Sequence, residues 1–116
     1  MKLLTKADLV GVWKLERFIV HRENGEAFEW PGAQNGTLIY TDDGYVSVAQ
    51  NRQALANPSE ADQARTANFY TGTYRAELEQ GRVLHTPLQA SVPAIIGIPA
   101  ERTVELDSNG QLWLSG

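Results

Sequence analysis

The hydrophobic pattern of the chain is clearest between Gly36 and Gln50. Two runs rich in β-branched and aromatic residues, Gly36-Thr-Leu-Ile-Tyr-Thr and Tyr45-Val-Ser-Val-Ala-Gln, flank the pair Asp43-Gly44. An Asp-Gly pair accepts the positive φ angles of a tight type I′ turn, which connects neighbouring antiparallel strands. The sequence therefore predicts a β-hairpin that turns at Asp43-Gly44.

Similar strand-like runs, separated by turn pairs, recur through most of the chain. Asn24-Gly25, Asn35-Gly36 and Asn109-Gly110 are predicted turn pairs, and Gln80-Gly81 separates two further strand-like runs. Consecutive strands joined by short turns predict an antiparallel meander. The further predicted strands are Val12 to Arg22, whose apolar residues occupy both faces, then Glu26 to Trp30, Tyr70 to Leu78, Arg82 to Ser91, Glu101 to Asp107 and Gln111 to Ser115.

Two segments have helical rather than strand patterns. Lys6 to Val10 is expected to form one helical turn, with Thr5 as its cap and Asp8 in the first turn. Pro58 is followed by a cap candidate, and the alanine-rich residues after it tolerate a helix. We therefore expect a short helix from Ser59 to Phe69, within a long crossover.

These elements predict an all-β protein, a small antiparallel up-and-down barrel of about seven or eight strands with one short helix. A sandwich of two sheets is the competing geometry. The barrel is favoured because consecutive hairpins dominate and the long crossovers of a Greek key are scarce. At 116 residues, 1–116 should form a single domain with a core of its own.

Composition excludes several classes of function. The chain has no cysteine and two histidines without paired spacing, so we expect no metal site, and no glycine-rich loop suggests a nucleotide cofactor. The net charge is -4 and the basic residues are scattered, which argues against nucleic acid. The longest apolar stretch, Val92 to Ala100, is interrupted by Pro93, Gly97 and Pro99, and it is too short for a membrane helix. A cytoplasmic protein without membrane contact is the expectation.

Aromatic residues supply the amphipathic surface that a small-molecule pocket needs. Tyr40 and Tyr45 lie on the two arms of the predicted hairpin, so at least one should face inward. Trp13 follows Gly11 and is expected to close one end of the barrel while its N–H group finds a carbonyl. Tyr74, Trp113 and Tyr70 complete the aromatic set; core packing is the alternative for each of these residues.

His85 is the best candidate for chemistry, and Arg102 for an anchor. Val83 and Pro87 lie two residues from His85, so its imidazole could face a cavity and orient a ligand hydroxyl or act as a general base. Arg102 shares a strand face with Val104 and Leu106, so its guanidinium is expected inside, where it could bind a carboxylate bidentately. The alternative for Arg102, as for Arg17 and Arg75, is cross-strand pairing with Glu77, Glu101 or Glu105.

Four ordered blocks together resemble the bacterial and fungal lipocalin-like domain family. They are Leu9-Val-Gly-Val-Trp-Lys-Leu, Gly36-Thr-Leu-Ile-Tyr-Thr-Asp-Asp-Gly-Tyr-Val-Ser-Val, Tyr70-Thr-Gly-Thr-Tyr and Val83-Leu-His85. The resemblance implies a calycin-type barrel with a cavity for a small apolar molecule. The chain departs from the family pattern at Thr86, where a second histidine is common, and in the apolar connector 94–98. Family members also usually have one more strand after the position of Leu114.

Three functions follow as hypotheses. The first is binding of a small hydrophobic or amphipathic molecule in the barrel by Trp13, Tyr40, Tyr45, Tyr74, His85, Arg102 and Trp113. The second is an isomerase or cyclase in which His85, Tyr74 or Glu105 moves a proton within the same cavity. The third is a protein-interaction module that uses an open barrel edge, and a homodimer through that edge is the expected form.

Overall fold

The computed structural model describes residues 4–17, 19–21, 25, 27–29, 34–52 and 67–116. Within these residues, seven antiparallel strands follow one another in an up-and-down sheet that curls into a nearly closed barrel. A separate two-stranded ribbon accompanies the sheet. The predicted all-β, up-and-down fold is confirmed, together with one short helix.

The helix α1 spans Lys6–Leu9. The strands are β1 Gly11–Lys14, β2 Ile19–His21, β3 Ala27–Glu29, β4 Gln34–Tyr40, β5 Tyr45–Arg52, β6 Ala67–Glu77, β7 Arg82–Ala90, β8 Ala100–Leu106 and β9 Leu112–Ser115, with 3₁₀ turns at Leu78–Gln80 and Pro93–Ile95. The ribbon consists of β2 and β3, and the barrel sheet has the spatial order β1, β4, β5, β6, β7, β8 and β9.

The predicted central hairpin is present as β4 and β5, but its turn differs from the prediction. Tyr40 pairs with Val46, and the Thr41 N–H donates to the Tyr45 carbonyl, so the loop contains three residues rather than the two of a type I′ turn. Gly44 has a φ of 94°, a value that favours glycine. The Thr41 hydroxyl accepts a hydrogen bond from the Tyr45 N–H and donates one to Asp43, and these bonds stabilise the longer loop.

Three other predicted elements need correction. Asn35-Gly36 is not a turn, because both residues lie within β4 and pair with β5. The strand predicted from Val12 to Arg22 is interrupted at 15–17, so that β1 pairs with β4 while β2 pairs with β3. Most of the predicted helix from Ser59 to Phe69, as far as residue 66, lies outside the described residues. The prediction is wrong for its last three residues, 67–69. Ala67–Phe69 belong to β6, because they pair with β5, and a ladder of backbone hydrogen bonds overrides the helix tolerance of alanine.

One end of the barrel is covered by α1. Leu9 is completely buried, and its carbonyl accepts the indole N–H of Trp13 at 2.8 Å. The ammonium of Lys6 donates to the carbonyl of Asp42 in the β4–β5 loop at 2.6 Å. The helix therefore contacts both β1 and the β4–β5 loop. The buried residues of the core are Leu9, Tyr40, Val46, Tyr74, Val83 and Val104.

A bulge between β6 and β7 sets the register near the centre of the barrel. Gly72 pairs with Pro87, whereas Thr71 pairs with Gln89, so Leu88 is the extra residue. A Cβ at Gly72 would lie 2.0 Å from the carbonyl oxygen of Thr86, and only glycine fits this close approach. Gly72 therefore lets the backbones of β6 and β7 approach closely at the bulge.

In the described part of the sheet, β1 and β9 are the two edge strands. Each has one neighbour, β4 for β1 and β8 for β9. An edge strand has unpaired backbone groups that can pair with another chain. The homodimer expected from an open barrel edge stays a prediction.

Candidate functional site

His85 is the one polar side chain in the buried core of the described residues. Only 1% of its surface is exposed. Its Nε2 lies 2.6 Å from the hydroxyl of Tyr40, and its Nδ1 lies 2.8 Å from the hydroxyl of Tyr70. Both ring nitrogens are therefore hydrogen-bonded, as burial of a polar ring requires.

Three strands bring these side chains to the inner face of the barrel. Tyr40 ends β4, Tyr70 lies in β6, and His85 lies in β7 between Val83 and Pro87, which are both buried. Side chains on a strand alternate between its faces, so the buried neighbours at every second position place His85 inside. The expectation that His85 faces inward is in agreement with this geometry.

Arg102 on β8 completes the group. It pairs with the buried Val83 and shares its strand face with the buried Val104, so it lies on the inner side and is half-buried. Its charge acts on Tyr70 and on His85, and its Nη1 donates to the carbonyl of Glu101 at 3.1 Å. We call Tyr40, Tyr70, His85 and Arg102 the polar cluster.

The buried surroundings keep the polar cluster's histidine and tyrosines uncharged. Burial, and then the positive charge of Arg102, lowers the pKa of His85 to about 4. Burial also raises the pKa of Tyr40 and that of Tyr70, and the positive charge of Arg102 opposes the rise at Tyr70. Near neutral pH the cluster therefore contains a neutral imidazole, two neutral hydroxyls and one guanidinium cation.

Tyr74 packs beside the polar cluster without bonding to it. Its ring centre lies 4.7 Å from that of Tyr40, in an edge-to-face arrangement. Its hydroxyl donates to the carbonyl of Thr41 at 2.7 Å, and burial raises its pKa. Tyr74 therefore supports the ring of Tyr40 and anchors the β4–β5 loop.

The other predicted site residues do not join the polar cluster. Trp13 is half-buried near α1, where its N–H finds the carbonyl of Leu9, the arrangement expected of a residue that closes the barrel end. Tyr45 is 53% exposed on the outer face, whereas Tyr40 faces inward, so one arm of the hairpin contributes and the other does not. Trp113 is 39% exposed, and its indole N–H donates to Asp107 at 2.9 Å.

Tyr70 is the residue that sequence reasoning undervalued. From the sequence it is one aromatic wall residue among several, yet in the structure its hydroxyl is hydrogen-bonded to His85 at 2.8 Å. The available signal was its spacing from Tyr74, because residues four apart on one strand share a face. The bulge that adjusts its pairing with β7 could not be read from that spacing.

An open groove of about 650 Å³ lies elsewhere, between α1 and the β6–β7 turn. Tyr74 is its one aromatic lining residue, and the other members of its wall include Lys6, Glu77 and Leu78. Neither His85 nor its hydrogen-bonding partners line this groove. The groove and the polar cluster are therefore separate features.

The described residues contain no group of three or more His, Cys, Asp or Glu side chains that could hold a metal ion. Over the same ranges, no helix has the length and apolar character needed to cross a membrane.

One comparison with known proteins gave a match. The sequence model of the family described as Lipocalin-like domain matches residues 10–115. This range contains every strand of the barrel and the whole polar cluster. No curated protein and no solved structure matches the chain.

Proposed function

The chain belongs to the lipocalin-like domain family, and from that premise we propose that it binds a small hydrophobic or amphipathic molecule inside the barrel. The apolar part of the molecule lies along the inner face, and its polar end lies at the polar cluster. The observation that carries the proposal is the burial of His85 between two tyrosine hydroxyls within an apolar core. Small-molecule sites characteristically combine apolar walls with a few positioned polar groups.

The polar cluster has a composition that suits recognition rather than stability. Replacing buried polar groups by apolar side chains of similar shape is often neutral or stabilising, so an all-apolar core would serve stability equally well. A polar end group on a ligand would find donors and acceptors fixed in place by β4, β6, β7 and β8. Such preorganisation lowers the entropic cost of binding.

The experiment is a methyl NMR titration of the protein with 1-decanol. Binding inside the barrel should shift the methyl signals of Leu38, Val48 and Val104, which pack in or against the core. The exposed methyl groups of Val12 and Ile98 should not shift. Shifts confined to the exposed methyl groups, or no saturable shift at all, would contradict the proposal.

A matched pair of tyrosine variants tests the polar end of the site. Tyr70→Phe removes a hydroxyl of the polar cluster, whereas Tyr45→Phe removes one from the outer face. A neutral hydrogen bond contributes about 0.5–1.5 kcal/mol, so Tyr70→Phe should weaken 1-decanol binding by roughly twofold to tenfold. Tyr45→Phe should leave the affinity unchanged, and equal losses in both variants would argue against a role for the cluster.

An isomerase is the second candidate, and the position of the imidazole favours it. A ring bonded at both nitrogens to hydroxyls can accept a proton at one nitrogen and release one from the other. Of the proton carriers predicted from sequence, His85 is the one in this arrangement, because Glu105 lies exposed on the outer face and the Tyr74 hydroxyl is bonded to Thr41. The barrel then binds a carbonyl compound and exchanges its α-hydrogen.

Deuterium exchange separates the two candidates. The α-hydrogens of 2-decanone in D₂O should exchange faster with the wild-type protein than without it, and His85→Gln should remove the acceleration. Binding of 2-decanone without acceleration would support the binding function and reject the isomerase.

A further inference from the structure

The hydrogen bonds of the polar cluster can be counted, and one hydrogen is left over. A neutral imidazole has one N–H group, and each tyrosine has one O–H group, so Tyr40, Tyr70 and His85 together have three such hydrogens. Two hydrogen bonds join them, one at Nε2 and one at Nδ1. Each bond uses one hydrogen, and the third hydrogen therefore remains without an acceptor in the cluster.

Either tautomer of His85 leads to this result. With the hydrogen on Nδ1, Tyr40 donates to Nε2, the ring donates to Tyr70, and the Tyr70 hydrogen is left. With the hydrogen on Nε2, Tyr70 donates to Nδ1, the ring donates to Tyr40, and the Tyr40 hydrogen is left. Among the described residues, no other acceptor bonds to either hydroxyl. Tyr40 is 1% exposed and Tyr70 is 7% exposed, so the remaining hydrogen is buried.

Arg102 adds further donors and a positive charge. A guanidinium only donates, and among the described residues Arg102 donates to the carbonyl of Glu101. No carboxylate of the described residues forms an ion pair with it, whereas Arg75 and Arg82 on the outer face pair with Glu77. Within the described residues, the polar cluster therefore combines a hydroxyl hydrogen that has no acceptor with a cation that has no carboxylate partner.

From this inventory we infer that the molecule bound in the barrel is an apolar carboxylate, whose head group accepts hydrogen bonds from Arg102 and from the tyrosine hydroxyl that has no acceptor among the described residues. This inference rests on the proposed function and names the chemical class of the ligand. A carboxylate supplies acceptors only, its single negative charge matches one guanidinium, and its planar shape suits the guanidinium fork. An ammonium group would meet the like charge of Arg102, and an ester would leave that charge unpaired.

The experiment compares decyl compounds that differ in the head group: decanoate, methyl decanoate, 1-decanol and decylamine. Affinities for the full chain are measured near neutral pH by the same methyl NMR titration. Hydrogen bonds to charged groups are the stronger class, so decanoate should bind roughly tenfold to hundredfold more tightly than methyl decanoate. This comparison uses the wild-type protein and does not depend on the folding of any variant.

Two arginine variants then locate the effect. Arg102→Met should reduce the affinity for decanoate roughly tenfold to hundredfold, and that for 1-decanol by a clearly smaller factor, because 1-decanol has no charge to pair with the guanidinium. Arg75→Met is the matched control, because the Arg75 side chain is 76% exposed on the outer face of β6, and it should change neither affinity. If Arg102→Met does not fold, Arg102→Lys keeps the charge but lacks the fork and should show a smaller loss for decanoate.

The outcomes separate the inference from the proposed function. Tight binding of decanoate that depends on Arg102 supports both. Equal affinity for all four compounds, or tightest binding of decylamine, overturns the carboxylate assignment while the binding function stands. If none of the compounds binds, the proposed function fails and the inference fails with it.

Discussion

The inner and outer faces of the barrel use the same residue types in opposite ways. On the outer face, Glu77 accepts hydrogen bonds from Arg75 at 2.7 Å and from Arg82 at 2.8 Å. On the inner face, the polar cluster contains Arg102 but no carboxylate, and its histidine is almost fully buried. Arg82 and Arg102 lie at neighbouring positions of β7 and β8, so one step in strand register separates the two environments.

The contrast shows how burial determines what a polar contact contributes. Water screens the outer ion pairs and solvates the partners again when a pair breaks, so such pairs contribute little to stability. Inside the barrel, water is not available to replace a lost partner, and a broken hydrogen bond leaves a buried polar group unsatisfied. Substitutions in the polar cluster should therefore be far more costly than substitutions in the outer ion pairs.

The largest effect is expected from His85→Ala. The change removes a packed ring and leaves the hydroxyls of Tyr40 and Tyr70 without their buried partner. The combined loss should be about 3–5 kcal/mol of unfolding free energy, measured by urea denaturation. Thr86→Ala, one residue away on the outer side, is the control and should cost less than about 1 kcal/mol. Equal losses of unfolding free energy in His85→Ala and Thr86→Ala would show that the polar cluster contributes no more to stability than a residue on the outer face.

A pH dependence of stability should follow from the buried imidazole. The folded protein holds the pKa of His85 at about 4, against a reference value of 6.5, so between these values the unfolded chain binds more protons. Stability from this group is complete above pH 6.5 and is lost as pH falls toward 4, by roughly 3 kcal/mol in total.

The control for the pH experiment is His85→Gln, which keeps a donor and an acceptor but does not titrate. Carboxylates such as Glu77, whose pKa is lowered first by its hydrogen bond to Arg75, also lose stabilising free energy as pH falls, and they do so in both proteins. The difference between the two urea-denaturation profiles therefore isolates His85. Parallel profiles from pH 4 to 7 would mean that the ring is accessible to protons in the folded state.

The smallest effect is expected from Glu77→Gln on the outer face. The change removes the carboxylate charge from both ion pairs, and solvent compensates much of the loss. The difference in unfolding free energy between the wild-type protein and Glu77→Gln should become smaller still at about 1 M salt, where the screening length is about 3 Å. The cost of His85→Ala should not change with salt in this way. A salt-independent loss in Glu77→Gln would place the outer pairs in the same class as the buried ones.

Much of the fold could be predicted because its signals are local. The hairpin around Asp43-Gly44 was indicated by two strand-like runs and a turn pair, and the inward position of Arg102 by its alternation with Val104. The three-residue loop was not predicted, because the side-chain bonds of Thr41 to Asp43 and Tyr45 stabilise it over the tight turn. The alanines before Phe69 allowed a helix, and pairing with β5 decided for a strand at 67–69.

The sequence by itself determined the class of barrel and the inward positions of His85 and Arg102. Periodicity and turn residues specify those features within a few positions of the chain. Only the tertiary structure decided that Tyr40 and Tyr70 bond the two nitrogens of His85 and that Tyr45 and Trp113 lie outside. The bonds to His85 join residues from three strands, and their geometry depends on the curl of the sheet and on the bulge beside Gly72.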